Sequence, residues 1–353
     1  MKPFELYRAT AGYRRLKFLF GFCLTLLTTA LYAVIVGLSS LASPVLSYFM
    51  LPVWIALSLY LCRQLSRAVG WRLDAGHLYL VTAGFSEGEV PQNALSLVNE
   101  ILDFRFGKKR YLALRARIHR AVKEINHSLL TANSLVGDIP GMRLMNQIGR
   151  SFLGLHLVYM RDCCLSYVFL QTDRTPEDAS PDGCAFYSVN WKQLSERASD
   201  VSIFSAVIVI VPTAALGIAL GFLMQLIGLG AFAYFGGFLA FMLVLSIKYA
   251  ALDSYFMIHY IDRFLRMASH NAPSEQCYRQ LSRVSPAFAA MMRRTEGHTV
   301  PAQPRLFSRK KRRLPKAPPV RTPDASHPVV CPKCRSANRA NAKFCAGCGI
   351  RLK

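Results

Sequence analysis

The chain has 353 residues, a mean hydropathy of +0.25 and 52% apolar residues, values that fit a membrane protein with substantial polar parts. Its net charge of +23 is unevenly placed: residues 18–62 and 201–247 contain no Asp, Glu, Lys or Arg at all. A uniformly soluble chain is excluded. The absence of any ionisable group from the middle of the spans argues against a proton- or ion-coupled transporter, which usually keeps an intramembrane carboxylate, His or Lys.

Residues 1–17 form a basic tail, with Lys2, Arg8, Arg14, Arg15 and Lys17 against Glu5 alone. The run 201–247 would be roughly 70 Å long as one helix at ~1.5 Å per residue, more than twice the ~30 Å hydrocarbon core of a bilayer. It predicts two spans joined by a tight turn near residues 225–230. The run 18–62 predicts a first hairpin of the same design, with spans at about 18–37 and 45–62 and a turn at residues 39–44. Pro52 is expected to kink the second span, and Tyr48, Trp54 and Tyr60 are expected to anchor it at the interface. The basic tail, apolar run and Ser40-Leu41-Ala42 imitate a cleavable signal peptide, but the ~20-residue run exceeds an h-region of 7–15 and a second span follows at once.

Residues 63–200 predict a mainly helical layer. Apolar residues recur at three- and four-residue spacing over 95–102, 111–130 and 144–171, while Arg115, Arg117, Arg120 and Lys123 fall on other faces. The run His77 to Thr82 is the only strand-like one, 173–182 reads as a loop, and 189–197 reads as an amphipathic helix leading into the third span. The layer is expected to pack on itself and on the inner leaflet, with a re-entrant helix at 153–170 as the alternative. In the second hairpin (201–250), Gly217 and Gly221 form a G-x-x-x-G pair that predicts close helix contact within the chain. Residues 251–296 predict amphipathic helices: one at 257–267 on the membrane surface, one capped by Asn271 ahead of Pro273, and one starting at Ser285-Pro286.

Lys and Arg lie outside both hairpin turns, so the positive-inside rule places the N-terminus, the middle layer and the C-terminus in the cytoplasm of a multi-pass inner-membrane protein. Ten cysteines on the reducing side do not form a disulfide framework; Cys163, Cys164, Cys23 and Cys62 read as small buried hydrophobes. Gly88-Glu89-Val90-Pro91, Arg105-Phe106-Gly107, residues 121–126, Leu165-Ser166-Tyr167 and Asn190-Trp191-Lys192 occur in an order that resembles an uncharacterised group of bacterial multi-pass membrane proteins. The resemblance implies the same hairpin–layer–hairpin plan and no activity; Cys163-Cys164 departs from it, an acidic or small residue being expected there.

Residues 297–329 are a basic, Pro-rich linker expected to be disordered, whose run Arg309, Lys310, Lys311, Arg312 and Arg313 is suited to anionic lipid headgroups. Residues 330–353 hold the strongest chemical signal. Cys331-Pro332-Lys333-Cys334 and Cys345-Ala346-Gly347-Cys348 supply four thiolates, the closed tetrahedral set of a structural zinc site. The segment resembles the zinc-ribbon tails of many bacterial and archaeal proteins, with Arg335 standing where those tails usually carry Gly. So short a segment, with Phe344 and Ile350 as its apolar residues, requires its metal to fold. A redox pair or iron are the competing uses of these cysteines. Arg335, Arg339, Lys343, Arg351 and Lys353 fit phosphate contact, solubility or lipid proximity alike, and tethered ribbons more often bind protein than nucleic acid.

Gly84-Phe85-Ser86-Glu87-Gly88 matches G-x-S-x-G by letter, but Pro91 and the polar residues after it spoil the helix a nucleophile elbow needs. Asn126-His127-Ser128 is a sequon on the side where it would be silent. The expectation is an all-α integral membrane protein with four spans, a cytoplasmic helical layer and a four-cysteine zinc ribbon. It would act as a non-enzymatic scaffold or adaptor presenting the ribbon to a cytoplasmic protein. A channel, transporter or accessory subunit is the alternative, and a membrane-embedded enzyme the third.

Overall fold

The structure is a computed structural model that describes residues 1–91, 94–134, 143–195, 198–228, 233–295, 329–330 and 337–338. They belong to two units, 1–311 and 312–353. In the first unit every described element is a helix. In chain order these are α1 (Pro3–Ala9), α2 (Ala11–Tyr32), α3 (Leu38–Ala42), α4 (Pro44–Leu65), α5 (Trp71–Glu87), α6 (Ala94–Arg105), α7 (Lys108–Ser134) and α8 (Arg143–Leu170). They continue with α9 (Pro176–Val189), α10 (Trp191–Ser195), α11 (Ala198–Leu226), α12 (Ala233–Ile247), α13 (Asp253–Ala268), α14 (Glu275–Val284) and α15 (Pro286–Met292). Three π-helical segments, Ala33–Gly37, Ser66–Gly70 and Lys248–Leu252, join α2 to α3, α4 to α5 and α12 to α13 without a break.

Among the described residues, four helices are long and apolar enough to cross a membrane: Ala11–Ser40, Val45–Glu87, Phe204–Leu226 and Phe235–Ala268. The first hairpin turns at Ser43, which is extended (φ −163°, ψ 132°), and Pro44 opens α4 at a position where its missing N–H costs nothing. In the second, the chain leaves α11 through Gly228 at φ +78°, a conformation that favours glycine. Its two helices touch backbone to backbone. A Cβ on Gly217 would lie 3.2 Å from Gly237 Cα, and one on Gly236 would lie 2.9 Å from Gly221 N, so the G-x-x-x-G pair serves contact within the chain as expected. Helix α2 lies as closely on α12, where a Cβ on Gly21 would meet Ser246 at 2.8 Å.

Trp54 corrects an expectation. It is buried with Val36 and Phe235, donates from Nε1 to the Thr28 carbonyl at 3.0 Å, and faces the Tyr32–Phe235 stack, so it locks the two hairpins together rather than anchoring at an interface. Tyr48 and Tyr60 are exposed. Pro52 sits inside α4, and a π-helical segment follows α4 at Ser66–Gly70.

Two helices supply most of the core of the polar part. Helix α5 is buried on all sides from Ala75 to Phe85, and α8 is almost continuously buried from Tyr159 to Phe169, in contact with α5, α7, α9 and α13. The strand-like His77–Thr82 run is therefore helical: enclosure on every side removes the polar face that would show a helical period, and continuity with α4 overrides the β-propensity of its side chains. Protein encloses most of 159–169, so this stretch is an inner helix of the polar part. Met257–Leu265 packs one face on protein through Met257, Ile258, Ile261 and Phe264, while His259 stays exposed.

Local chemistry sets the remaining boundaries. Arg105 caps α8 by donating to the carbonyls of Val168 (3.2 Å), Phe169 (3.3 Å), Arg174 (3.2 Å) and Gln171, while Gly107 at φ +63° turns the chain into α7. The expected loop at 173–182 ends early, because Thr175 caps α9 by accepting from Asp178 N and Pro176 follows it. The expected helix at 189–197 breaks at Asn190, whose side chain donates back to Phe186 O and accepts from Asn271. Asn271 is thereby used elsewhere, and Ser274 caps α14 instead; Ser285-Pro286 opens α15 as expected.

Cys163, Cys164 and Cys184 are buried by protein, Cys62 is half-buried, and Cys23 lies on the protein-exposed face of the apolar α2. An acidic residue at 163 or 164 would have no room for its hydration. In the second unit, β1 (Val329–Val330) pairs antiparallel with β2 (Ala337–Asn338), Val329 facing Asn338 and Val330 facing Ala337.

Candidate functional site

Lys17 is the last charge before the first apolar run, and Lys248 is the first after the second. Because α2 and α12 run antiparallel in contact, these charged ends meet, and they meet at the first turn of α5. Asp74 there accepts from Tyr249 OH at 2.7 Å, Arg115 Nη2 at 3.1 Å and Lys17 Nζ at 3.4 Å. Lys17 is only 4% exposed, and its ammonium also lies 5.0 Å from the centre of the Tyr249 ring. Burial lowers the basicity of Arg115, and the adjoining Asp74 carboxylate more than reverses it, so the guanidinium sits above its ordinary value.

A second carboxylate repeats the arrangement. Asp253 accepts from Tyr159 OH at 2.7 Å and Lys248 Nζ at 2.5 Å. Burial, and then the charge of Asp253, push the Tyr159 phenol well up, which keeps it a neutral donor. Between the two clusters His77 is fully buried, stacked on Tyr13 and 3.5 Å from Ser254 Oγ through Nδ1; its Nε2 has no partner. Farther out, Asp182 accepts from Arg174 (2.6 Å) and Tyr278 (2.8 Å), and Glu124 accepts from Ser285 Oγ (2.7 Å) and Ala287 N (2.9 Å). Each of these carboxylates receives donors from other segments of the fold. That is the geometry of a clamp, with charge matched across a seam.

Beside Asp74 a half-open cavity of about 390 Å³ lies between α2, the α4–α5 junction, α7 and the α12–α13 junction. Its lining combines the apolar Phe20, Leu24, Met242 and Leu245 with the cationic Arg63, Arg67 and Arg115. Two π-helical segments border it, through Ser66, Arg67 and Gly70 on one side and Tyr249 on the other. Such segments carry an extra residue in the turn and recur at functional sites.

Cys331, Cys334, Cys345 and Cys348, and the cluster 309–313, lie outside the described residues. In sequence the first C-x-x-C falls between the paired strands β1 and β2. Among the described residues no group of three His, Cys, Asp or Glu could hold a metal. Asp74 was not singled out by sequence reasoning, although a signal was present: it is the only acidic residue between Glu5 and Glu87, against Arg8, Arg14, Arg15, Lys17, Arg63, Arg67 and Arg72. No family model, curated protein or solved structure matches this chain.

Proposed function

We propose that this protein is a non-enzymatic membrane scaffold that holds a structural zinc ribbon in the cytoplasm for a protein partner. One observation carries the reading: the buried and half-buried carboxylates Asp74, Asp253, Asp182 and Glu124 all tie helices to one another, so the ionisable chemistry of the polar layer goes into rigidity. The two long helices α4–α5 and α12–α13 join that layer to the hydrophobic hairpins without a hinge loop. The basic tail and the distribution of Lys and Arg support a cytoplasmic layer in the inner membrane, with both termini on that side. Cys331, Cys334, Cys345 and Cys348 would hold one zinc ion as a closed site, supplying fold and no open coordination position.

Cross-linking and pull-down from native membranes test the reading, with the full chain, a Cys345→Ser chain and a chain ending at Thr295. A protein recovered with the full chain and lost with both variants is the expected result. Recovery of the same proteins from all three chains would sink the ribbon as the presented element.

A further inference from the structure

The cavity beside Asp74 is built of two chemically distinct halves. One set of lining residues is apolar and comes from the charge-free parts of α2 and α12, through Phe20, Leu24, Met242 and Leu245. The other set is cationic. Lys17 and Arg115 share Asp74, whereas Arg63 and Arg67 are exposed and make no side-chain ion pair or hydrogen bond with any described residue. The lining thus carries three cations, Arg63, Arg67 and Arg115, against one carboxylate, Asp74, whose charge is already shared by Arg115 and Lys17.

We infer that this cavity is a site for one anionic phospholipid, its phosphate held by Arg63 and Arg67 and the upper part of an acyl chain lying along Phe20, Leu24, Met242 and Leu245. The two guanidiniums are the residue type that grips phosphate through paired N–H groups. Their unmatched charge, at the place where the apolar run 18–62 ends in Arg63, sets them at headgroup level. The volume lies within the ~300–1,000 Å³ of ordinary small-ligand sites, too small for a whole lipid and sufficient for a headgroup and the first part of a chain. A free phosphate would satisfy the arginines but leave the apolar wall uncovered. The amphiphile satisfies both. This site is separate from the basic run 309–313 and does not depend on the ribbon.

The test uses the full chain with Arg309, Lys310, Lys311, Arg312 and Arg313 changed to Gln, so that only the cavity is read. The protein is delipidated in detergent, and phosphatidylglycerol or phosphatidylcholine of identical acyl chains is added back and counted by native mass spectrometry. One phosphatidylglycerol should be retained per chain, roughly tenfold or more over phosphatidylcholine, and Arg63→Gln with Arg67→Gln should abolish that preference. Equal retention of the two lipids, or unchanged retention in the double variant, overturns the site. Displacement of the lipid by free glycerol phosphate at a comparable concentration would show a soluble phosphate ligand and overturn the lipid assignment. Because the double variant could fold poorly, the unmodified full chain is also labelled in membranes with a phosphatidylglycerol bearing a diazirine high in its acyl chain. Labelled peptides should come from residues 18–30 and 238–250; labelling elsewhere alone overturns the proposal.

Discussion

At the scale of single residues, the seam between the hydrophobic hairpins and the polar layer depends on Asp74. Replacing it by Asn removes the carboxylate in direct contact with a nearly buried Lys17 and with Arg115, and stranding a buried charge typically costs ~3–5 kcal/mol. Asp74→Asn should lower the unfolding temperature in detergent sharply, and Lys17→Met added to it should restore part of the loss, because the pair then leaves together. Additive losses in the double variant would show that the two do not act as a unit. Glu177 makes a milder case. The Arg110 hydrogen bonds hold its carboxyl below the ordinary glutamate value, with Arg117 nearby. A depressed carboxylate contributes fully above its unfolded value and loses that contribution as pH falls through the folded one. The stability gap between wild type and Glu177→Gln should therefore be constant near neutrality and close between about pH 4 and lower values; a gap that widens on acidification would reverse the assignment.

At the scale of elements, helix contact and helix identity separate what the sequence shows from what it hides. Gly236 and Gly237 are chain neighbours with opposite expectations. A Cβ at 236 runs into the backbone of α11 at 2.9 Å, whereas one at 237 meets nothing within 4 Å. Gly236→Ala should destabilise by ~1–3 kcal/mol, and Gly237→Ala should be neutral or slightly stabilising, as Gly-to-Ala in a helix usually is. Equal effects in thermal unfolding would mean that the two helices part easily. The four spans were legible because charge-free runs of this length have no other reading, and the close α11–α12 contact was legible from Gly217 and Gly221. Helix α5 was not, since burial on all sides erases the periodicity on which the reading relies. Trp54 was misplaced for a related reason: in a span that is apolar all round, nothing local says which face meets protein. Asp74 needs three partners from distant parts of the chain, at 17, 115 and 249, and no local pattern joins them.

At the scale of the whole molecule there are two units, and if the second is the proposed zinc ribbon, metal removal should affect it alone. Stripping zinc with a chelator, or Cys345→Ser, should unfold the ribbon while the helical content and melting of residues 1–295 stay unchanged, as followed by circular dichroism and Co²⁺ absorption. Loss of helix on chelation would place the metal elsewhere. A segment of this size cannot offset ordering costs of ~1 kcal/mol or more per residue without it. Reporter fusions at Lys17, Gly107 and Lys353 should all read cytoplasmic; an opposite signal at Gly107 would invert the layer.

The unbroken passage from α4 into α5 gives the molecule a lever. The apolar part ends at Cys62, and the rod runs on to Glu87, about 37 Å farther at ~1.5 Å per residue. Spans answer a thinner bilayer by tilting, and a tilt of about 10° in a rod of that length would sweep its far end through roughly 6 Å. Since α5 is enclosed by the layer, the layer would be carried along, turning lipid thickness into a displacement of its far surface. A fluorophore on Glu89→Cys, quenched by headgroup-bound quenchers, should report a different height in short-chain than in long-chain lipids. An unchanged height would mean that the bend is absorbed at Ser66–Gly70, where the helix carries its extra residue.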